Sequence, residues 1–314
     1  MALQRVIGVS RVNIAGLLAL VFLGIATIGP AAAAATDAKT RRVNVSTFGK
    51  QALLGDSRSA SISSDGRFVA FDSYADHLNM HDTSGESDVF VHKGVEADRV
   101  SYAPAISGNG RFVAFWSSAT NLIKNDTNDD RDIFVHDRKT KKSRVVSVRS
   151  NGKQGTGDHR APALSGNGRY VAFESTAPNL VKGDKNGQKD VFVHDRKTGR
   201  TKRVSVRSNG AEANNESDKP ALSADGRYVA FGSEAGPLVK GDTNEKVDVF
   251  VHDRKTRKTR RVSRHSNGGQ ASDPSLEPAI SANGKFVAFE STADDLVAGD
   301  TNMRSDIFRR GPLR

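Results

Sequence analysis

One nine-residue phrase, S-x-[DN]-G-[RK]-[FY]-V-A-F, occurs five times in this 314-residue chain, at Ser63–Phe71, Ser107–Phe115, Ser165–Phe173, Ser223–Phe231 and Ser281–Phe289. The steps between copies are 44, 58, 58 and 58 residues. A repeat of this length is a whole supersecondary unit that cannot bury its apolar face alone, so the copies must stack in a row or around an axis. The repeat also directs the search for function. Residues shared by every copy build the scaffold, and a specific site has to lie where the copies differ.

The third copy shows how one unit is made. Ala161–Ser165 leads into the turn Gly166-Asn167-Gly168, and Tyr170-Val-Ala-Phe173 alternates as a strand does. A long connection, 174–189, separates it from a second clear strand, Asp190-Val-Phe-Val-His-Asp195. Arg196-Lys-Thr-Gly-Arg200 carries hairpin-turn chemistry with its late glycine, and Thr201–Arg207 alternates again. We call these strands A to D. No stretch has helical period. Four-stranded antiparallel units of this length read as blades of a β-propeller, whereas β-helices repeat at much shorter intervals. The last copy stops after its strand C, and Arg41-Arg-Val-Asn-Val-Ser46 matches strand D (Arg203-Val-Ser-Val). The expected architecture is therefore all-β, a single propeller of five blades over 41–314, with the N-terminal strand closing the last blade and removing the sheet edges of an open array.

The start of the chain has a different character. Arg5 and Arg11 precede a largely apolar stretch, Ile14–Ile28, followed by Pro30 and an alanine run with an Ala-x-Ala pattern near Ala33–Ala35. This is the pattern of a secretory signal peptide over 1–35, with a short linker at 36–40 and no transmembrane span once it is cleaved. With no cysteine in the chain, disulfides and a lipid-modified cysteine are excluded, and the core alone has to hold the fold. The formal charge of +11 falls to about +9 without the two leader arginines. For a secreted, periplasmic or cell-surface protein, that charge points to an envelope protein or an anionic cell-surface polymer as partner and away from nucleic acid.

The phrases SADGRYVAF (223–231) and DVFVHDR (190–196) resemble the repeats of TolB-type propellers, the exported branch of the WD40-like propellers, and the resemblance extends over nearly all of 41–314. It implies a β-propeller that serves as a binding or interaction module. It also supplies an alternative blade count, since that family usually has six blades. The long B–C connection in every copy is a departure from the family pattern.

Antiparallel blades sort the loops onto two faces. A–B turns carry Arg67, Arg111, Arg169, Arg227 and Lys285, and C–D turns carry Arg138, Lys139, Arg196, Lys197, Arg254 and Lys255, so one face is expected to be basic. The other face holds the B–C and D–A connections. Each B–C connection contains an Asp-x-Asn-x-x-x-Asp run: Asp126, Asn128, Asp132; Asp184, Asn186, Asp190; Asp242, Asn244, Asp248; and Asp300, Asn302, Asp306, with Asp82, Ser84, Asp88 in the first copy. Oxygen side chains at alternate positions suit calcium, and equally suit Asx-turns that order the loop. The D–A connections vary most, and their ends should surround the mouth of the central channel. Candidate ligand residues there are Arg58, Tyr102, His159, Arg160, Asp218, Lys219 and Glu277.

A catalytic constellation is hard to find. There is no G-x-S-x-G and no cysteine nucleophile. His92, His136, His194 and His252 share one strand-C place and belong to the scaffold. His77 and His81 are a close pair on a predicted loop. Trp116, the single tryptophan, follows strand B where other copies have Asp72, Glu174, Gly232 and Glu290. The leading expectation is an exported, non-enzymatic binding module. The alternatives are a polysaccharide hydrolase or lyase acting at the channel mouth through Asp218 and Glu277, and a calcium-stabilised structural domain.

Overall fold

The computed structural model describes residues 40–46, 48, 50–51, 55–75, 78, 86–91, 101–124 and 126–313. The expected signal peptide, Asp82, Ser84 and the histidines at 77, 81 and 92 lie outside the described residues. The compact propeller unit is Arg42–Arg314.

Each copy of the repeat becomes one small antiparallel sheet. Blade 1 holds β1 (Ser57–Ile62), β2 (Val69–Ser73) and β3 (Asp88–Val91). Blade 2 holds β4 (Ser101–Ile106), β5 (Phe112–Ser117), β6 (Asp132–Asp137) and β7 (Lys142–Val145). Blade 3 holds β8 (His159–Leu164), β9 (Tyr170–Ser175), β10 (Asp190–Asp195) and β11 (Arg200–Arg203). Blade 4 holds β12 (Ser217–Leu222), β13 (Tyr228–Ser233), β14 (Asp248–Asp253) and β15 (Lys258–Arg261). Blade 5 holds β16 (Ser275–Ile280), β17 (Val287–Ser291) and β18 (Asp306–Arg310). Strands pair in chain order within every sheet. The five-bladed all-β reading is correct, and among the described residues a single 3-10 turn, Gly236–Leu238, is the only helical element.

The core lies between blades. The Val-Ala-Phe of strand B and the Val-Phe-Val of strand C alternate faces, so one sheet sends residues to both neighbours. Ala172, Val191 and Val193 of blade 3 pack against Val229, Phe231 and Phe250 of blade 4. The strand-B and strand-C phenylalanines sit opposite each other and stack, as in Phe173–Phe192 at 6.0 Å and Phe231–Phe250 at 5.9 Å. Each such ring taken from water contributes about 1.5–3 kcal/mol.

A second, polar joint explains why the A–B turn keeps its glycine. Gly110, Gly168, Gly226 and Gly284 have φ near +70°, and a Cβ at Gly226 would stand 2.2 Å from the Tyr170 ring of the preceding blade. An arginine covers the other side of that ring. Arg138, Arg196 and Arg254 stack at 4.2, 4.2 and 4.1 Å on Phe68, Phe112 and Tyr170.

The last blade differs from expectation. Its sheet has three strands, and no described residue of the N-terminal segment pairs with β18. Instead Val45 bridges Gln51, and Asn44 Nδ2 donates to Ser57 Oγ at 3.2 Å, which keeps the segment beside blade 1. The expected closure of blade 5 by Arg41–Ser46 is therefore not made. Among the described residues, blades 5 and 1 also lack the junction that the other neighbours make. The A–B turns are linked by Ser64 N–H to Gly108 O (2.9 Å), Gly166 N–H to Ala224 O (2.8 Å) and Ala224 N–H to Ala282 O (2.9 Å), and the series stops at Ala282. Gly66, which in a closed ring would receive the Phe286 ring, faces open space.

Candidate binding rim

Every strand A enters its blade through the same strained step. The register shifts within β1, β4, β8, β12 and β16, and the residue in the bulge has positive φ: Ser59 (53°), Ala103 (49°), Ala161 (48°), Lys219 (51°) and Glu277 (48°). None of these is glycine, so the conformation is imposed by the surrounding structure. At two junctions a strand-B carboxylate of the preceding blade holds the bulge. Asp72 Oδ1 accepts from Ala103 N–H at 3.2 Å, and Glu174 Oε2 accepts from Lys219 N–H at 2.9 Å. Asp72 and Glu174 are therefore bonded to the frame.

Where strand B carries Trp116 in place of a carboxylate, the chemistry changes. Trp116 and Tyr102 are directly opposite across β4 and β5, and their rings stack at 4.6 Å and 29°. Tyr102 also meets Tyr74 edge-on at 6.0 Å, with the two hydroxyls 2.7 Å apart. Partial burial, followed by the bond to Tyr74, pushes the Tyr102 hydroxyl up to about 12, so it stays protonated. Arg131 lies 5.6 Å from the Trp116 ring and pairs with Asp158 at 2.9 Å, which also takes Arg160 at 2.8 Å. Tyr74, Tyr102, Trp116 and Arg131 are all part-exposed. The result is an aromatic platform edged by a guanidinium–carboxylate–guanidinium row.

Blades 3 to 5 give the rim a charged sector. Lys189 Nζ reaches Asp218 at 3.1 Å and Glu216 at 3.4 Å, and Lys219 pairs with Glu277. That bond to Glu277 raises the Lys219 ammonium above its ordinary range. Asp218 and Glu277, the carboxylates a hydrolase would use, are thus each matched to a lysine. Arg58 pairs with its neighbour Asp56 at 2.7 Å on the surface.

His159 is the one rim candidate that the structure removes from contact with a ligand. It is 0% exposed, packed edge-on to Phe173 at 5.9 Å, with Nε2 3.7 Å from Asp132. Burial pushes its imidazole down to about 4. It stands where Ser57, Ser101, Ser217 and Ser275 stand in the other blades, and it faces the sheet interior. Trp116, which the sequence offers equally as an exposed contact residue or as rim packing, joins Tyr102 here, and Tyr74, which the sequence does not single out, joins them. The available signal was an aromatic residue at a strand-B position that elsewhere holds Asp72, Glu174, Gly232 and Glu290.

The acidic runs are filled from within. In blade 3, Arg203 lies between Asp184 (3.0 Å) and Asp190 (2.8 Å) and also reaches Glu212 (2.8 Å). In blade 4, Arg261 lies between Asp242 and Asp248, both at 3.0 Å. In blade 2, Gln154 donates to Asp126 (2.9 Å), Asn128 (3.1 Å) and Asp132 (3.0 Å). Burial holds the carboxyls of Asp132 and Asp242 up near about 6. Asn186, Asn244 and Asn302 each donate to the last aspartate of their own run. Among the described residues no group of three or more His, Cys, Asp and Glu side chains is arranged to hold a metal.

The basic face is likewise partly spent on the scaffold. Arg111, Arg169 and Arg227 form forked pairs with Asp137, Asp195 and Asp253 at 2.7–2.9 Å, which pull those carboxyls well below the carboxylate range. Arg138, Arg196 and Arg254 are the ring-covering residues of the blade junctions. Exposed charge on that face comes from Lys139, Lys141, Lys142, Lys197, Arg200, Lys255, Arg257, Lys258 and Lys285.

A putative TolB from Agrobacterium tumefaciens matches this arrangement over 82% of the present chain and 77% of its own, at 13% identity and a TM-score of 0.51. The fold is TolB-like. TolB from Acinetobacter baumannii (17% identity, TM-score 0.47) is covered over 56% of its length, and the tricorn protease (17% identity, TM-score 0.44) over 23%. No protein-family model and no curated protein sequence matches the chain. No described helix is long and apolar enough to cross a membrane.

Proposed function

We propose that this chain is an exported, non-enzymatic binding module that takes an envelope protein on its D–A rim. The observation that carries this reading is the platform of Tyr74, Tyr102 and Trp116 flanked by Arg131, Asp158 and Arg160. Rigid aromatic rings offer a large contact area at low entropic cost, and aromatic and arginine side chains are the residue types that dominate protein–protein contacts. The TolB-like fold and the leader-like N-terminal sequence support the cellular setting. The lysine-matched rim carboxylates favour recognition over hydrolysis.

The single tryptophan is a built-in reporter. Co-sedimentation with membrane and cell-wall fractions at low and high salt, followed by Trp116 emission on adding the enriched fraction, tests the reading. Binding that resists salt, quenches Trp116 and weakens about 30-fold or more in Tyr102→Ala is expected. Binding that is unchanged in Tyr102→Ala and Trp116→Ala, or abolished by salt alone, overturns it.

A further inference from the structure

Two unfinished halves of one structural joint lie at opposite ends of the blade series. Lys39-Thr40-Arg41-Arg42-Val43 is identical to Lys258-Thr259-Arg260-Arg261-Val262, the strand D of blade 4. In blade 4 that strand makes three specific contacts. It pairs with strand C, with Val251 opposite Arg260. Thr259 Oγ1 donates to the Val206 carbonyl of blade 3, and its N–H donates to Ser208 Oγ at 3.0 Å. Arg261, 9% exposed, sits between Asp242 and Asp248 and donates to Gln270 at 3.1 Å. Blade 3 repeats all three with Lys202, Thr201 and Arg203.

At the N-terminal end, Arg42 already donates to Gln51, the counterpart of the Arg261–Gln270 bond, but Arg42 is exposed and meets no aspartate among the described residues. At the C-terminal end the receiving half is built. Asn302 Nδ2 holds Asp306 at 2.8 Å as Asn244 holds Asp248. Among the described residues no arginine or lysine pairs with Asp300 or Asp306, whereas Arg261 pairs with both Asp242 and Asp248. Among the described residues the outer edge of β18 has no partner strand, and Ile307 is 76% exposed where Val191 and Val249 are fully buried. The Arg264 carbonyl, counterpart of Val206, is bonded by Arg310 instead of by a threonine. A cleft of about 620 Å³, bounded by β15, the 264–270 turn and residues 310–313, borders that carbonyl. Gly311-Pro312-Leu313 turns back to Lys285, with Leu313 N–H on Lys285 O at 2.7 Å, and so leaves the path of a C–D hairpin.

We propose that the segment Thr40–Ser46 of a second copy of this chain adds to β18 as the missing strand D, placing its Arg42 between Asp300 and Asp306 and its Thr40 on the Arg264 carbonyl. The copies then associate head to tail. The chain's own segment leads into blade 1, and among the described residues blade 1 makes no A–B turn contact with blade 5: a Cβ at Gly66 would meet nothing within 4 Å. Strand addition satisfies an open edge and buries a positive side chain between two carboxylates that no described side-chain cation claims. The contact is heterologous, so it joins unlike surfaces of identical chains.

The register places Arg41 directly opposite Arg309, as Arg260 stands opposite Val251. The chain contains no cysteine, so Arg41→Cys and Arg309→Cys introduce the only thiols. Facing positions of an antiparallel pair have Cα separations that a disulfide spans. Mixed under mild oxidation, the two single variants should yield a disulfide-linked heterodimer as the main product, with little dimer from either alone. Adding Arg42→Glu to the Arg41→Cys partner should lower that yield about tenfold or more. No heterodimer in the mixture, an Arg41→Cys/Arg309→Cys double variant that closes within one chain, or a yield indifferent to Arg42→Glu overturns the proposal. All three variants are on the surface, so failure to fold is excluded by an unchanged melting temperature.

Discussion

Replacing Arg203 with alanine should be among the most damaging single changes in the scaffold. The guanidinium is 8% exposed, and the two aspartates it separates are 4% (Asp184) and 0% (Asp190) exposed. Without it, two buried carboxylates lose their common counter-charge while their desolvation remains. Breaking a buried pair by removing one partner costs about 3–5 kcal/mol. For a domain of this size that corresponds to a fall in melting temperature of about 6–20 °C. The loss should also depend on pH. Burial already raises the Asp184 and Asp190 carboxyls, and removing Arg203 raises them further. A carboxyl whose folded pKa exceeds its unfolded value gains stability as pH falls through the folded value. The deficit of Arg203→Ala relative to the natural chain should therefore shrink between pH 7 and pH 5. Calorimetry at the two pH values measures this. A cost below about 1 kcal/mol at pH 7, or a deficit that grows on acidification, refutes the argument.

Gly226→Ala and Gly66→Ala share a φ of about 70°, but only the first drives a Cβ into a ring, so denaturant unfolding should show it costing about 1–3 kcal/mol more than the second. Equal costs would mean that blades 5 and 1 meet in solution as the others do. His159 is buried and neutral with its pKa near about 4, so it contributes stability that is lost as pH falls from about 6.5 toward 4. Asp132, raised to about 6, acts in the opposite direction over the same range. His159→Ser, the residue used by four other blades, should flatten the acid side of the stability profile measured by circular dichroism, and a steeper profile would contradict this. Treatment with a calcium chelator should leave the melting temperature unchanged, because side chains of the protein itself fill the acidic runs of blades 2 to 4. A drop of several degrees on chelation would reverse that view.

Much of the propeller is legible because its rules are local. The alternation in Tyr170-Val-Ala-Phe173 and Asp190-Val-Phe-Val193 specifies two-faced strands, and the Asn-Gly and Asp-Gly turns specify hairpins. The acidic runs show where local reading ends. Asp-x-Asn-x-x-x-Asp describes a place for a cation, and spacing alone cannot distinguish a metal ion from a guanidinium. Arg203 is 13 residues beyond Asp190, and only the hairpin between β10 and β11 brings it back between the carboxylates. The basic turns are a similar case. Arg169 and Arg196 look alike in sequence, yet one is forked onto Asp195 and the other lies on a ring of the preceding blade.

The sequence by itself determined the repeating unit, its strands, their two-faced burial and the number of blades, since each follows from alternation and turn residues a few positions apart. Tertiary structure alone decided what the blades do to one another. His159 could be read as a mouth residue until the register of β8 turned it inward among Phe173 and Asp132. Tyr102 and Trp116, 14 positions apart in the chain, became one surface only through the pairing of β4 with β5. Ring closure looked assured from a matching strand D, but it depends on the rotation at every blade junction. At each such junction a ring seats between a glycine and an arginine of the next repeat, a contact that no spacing in the chain encodes.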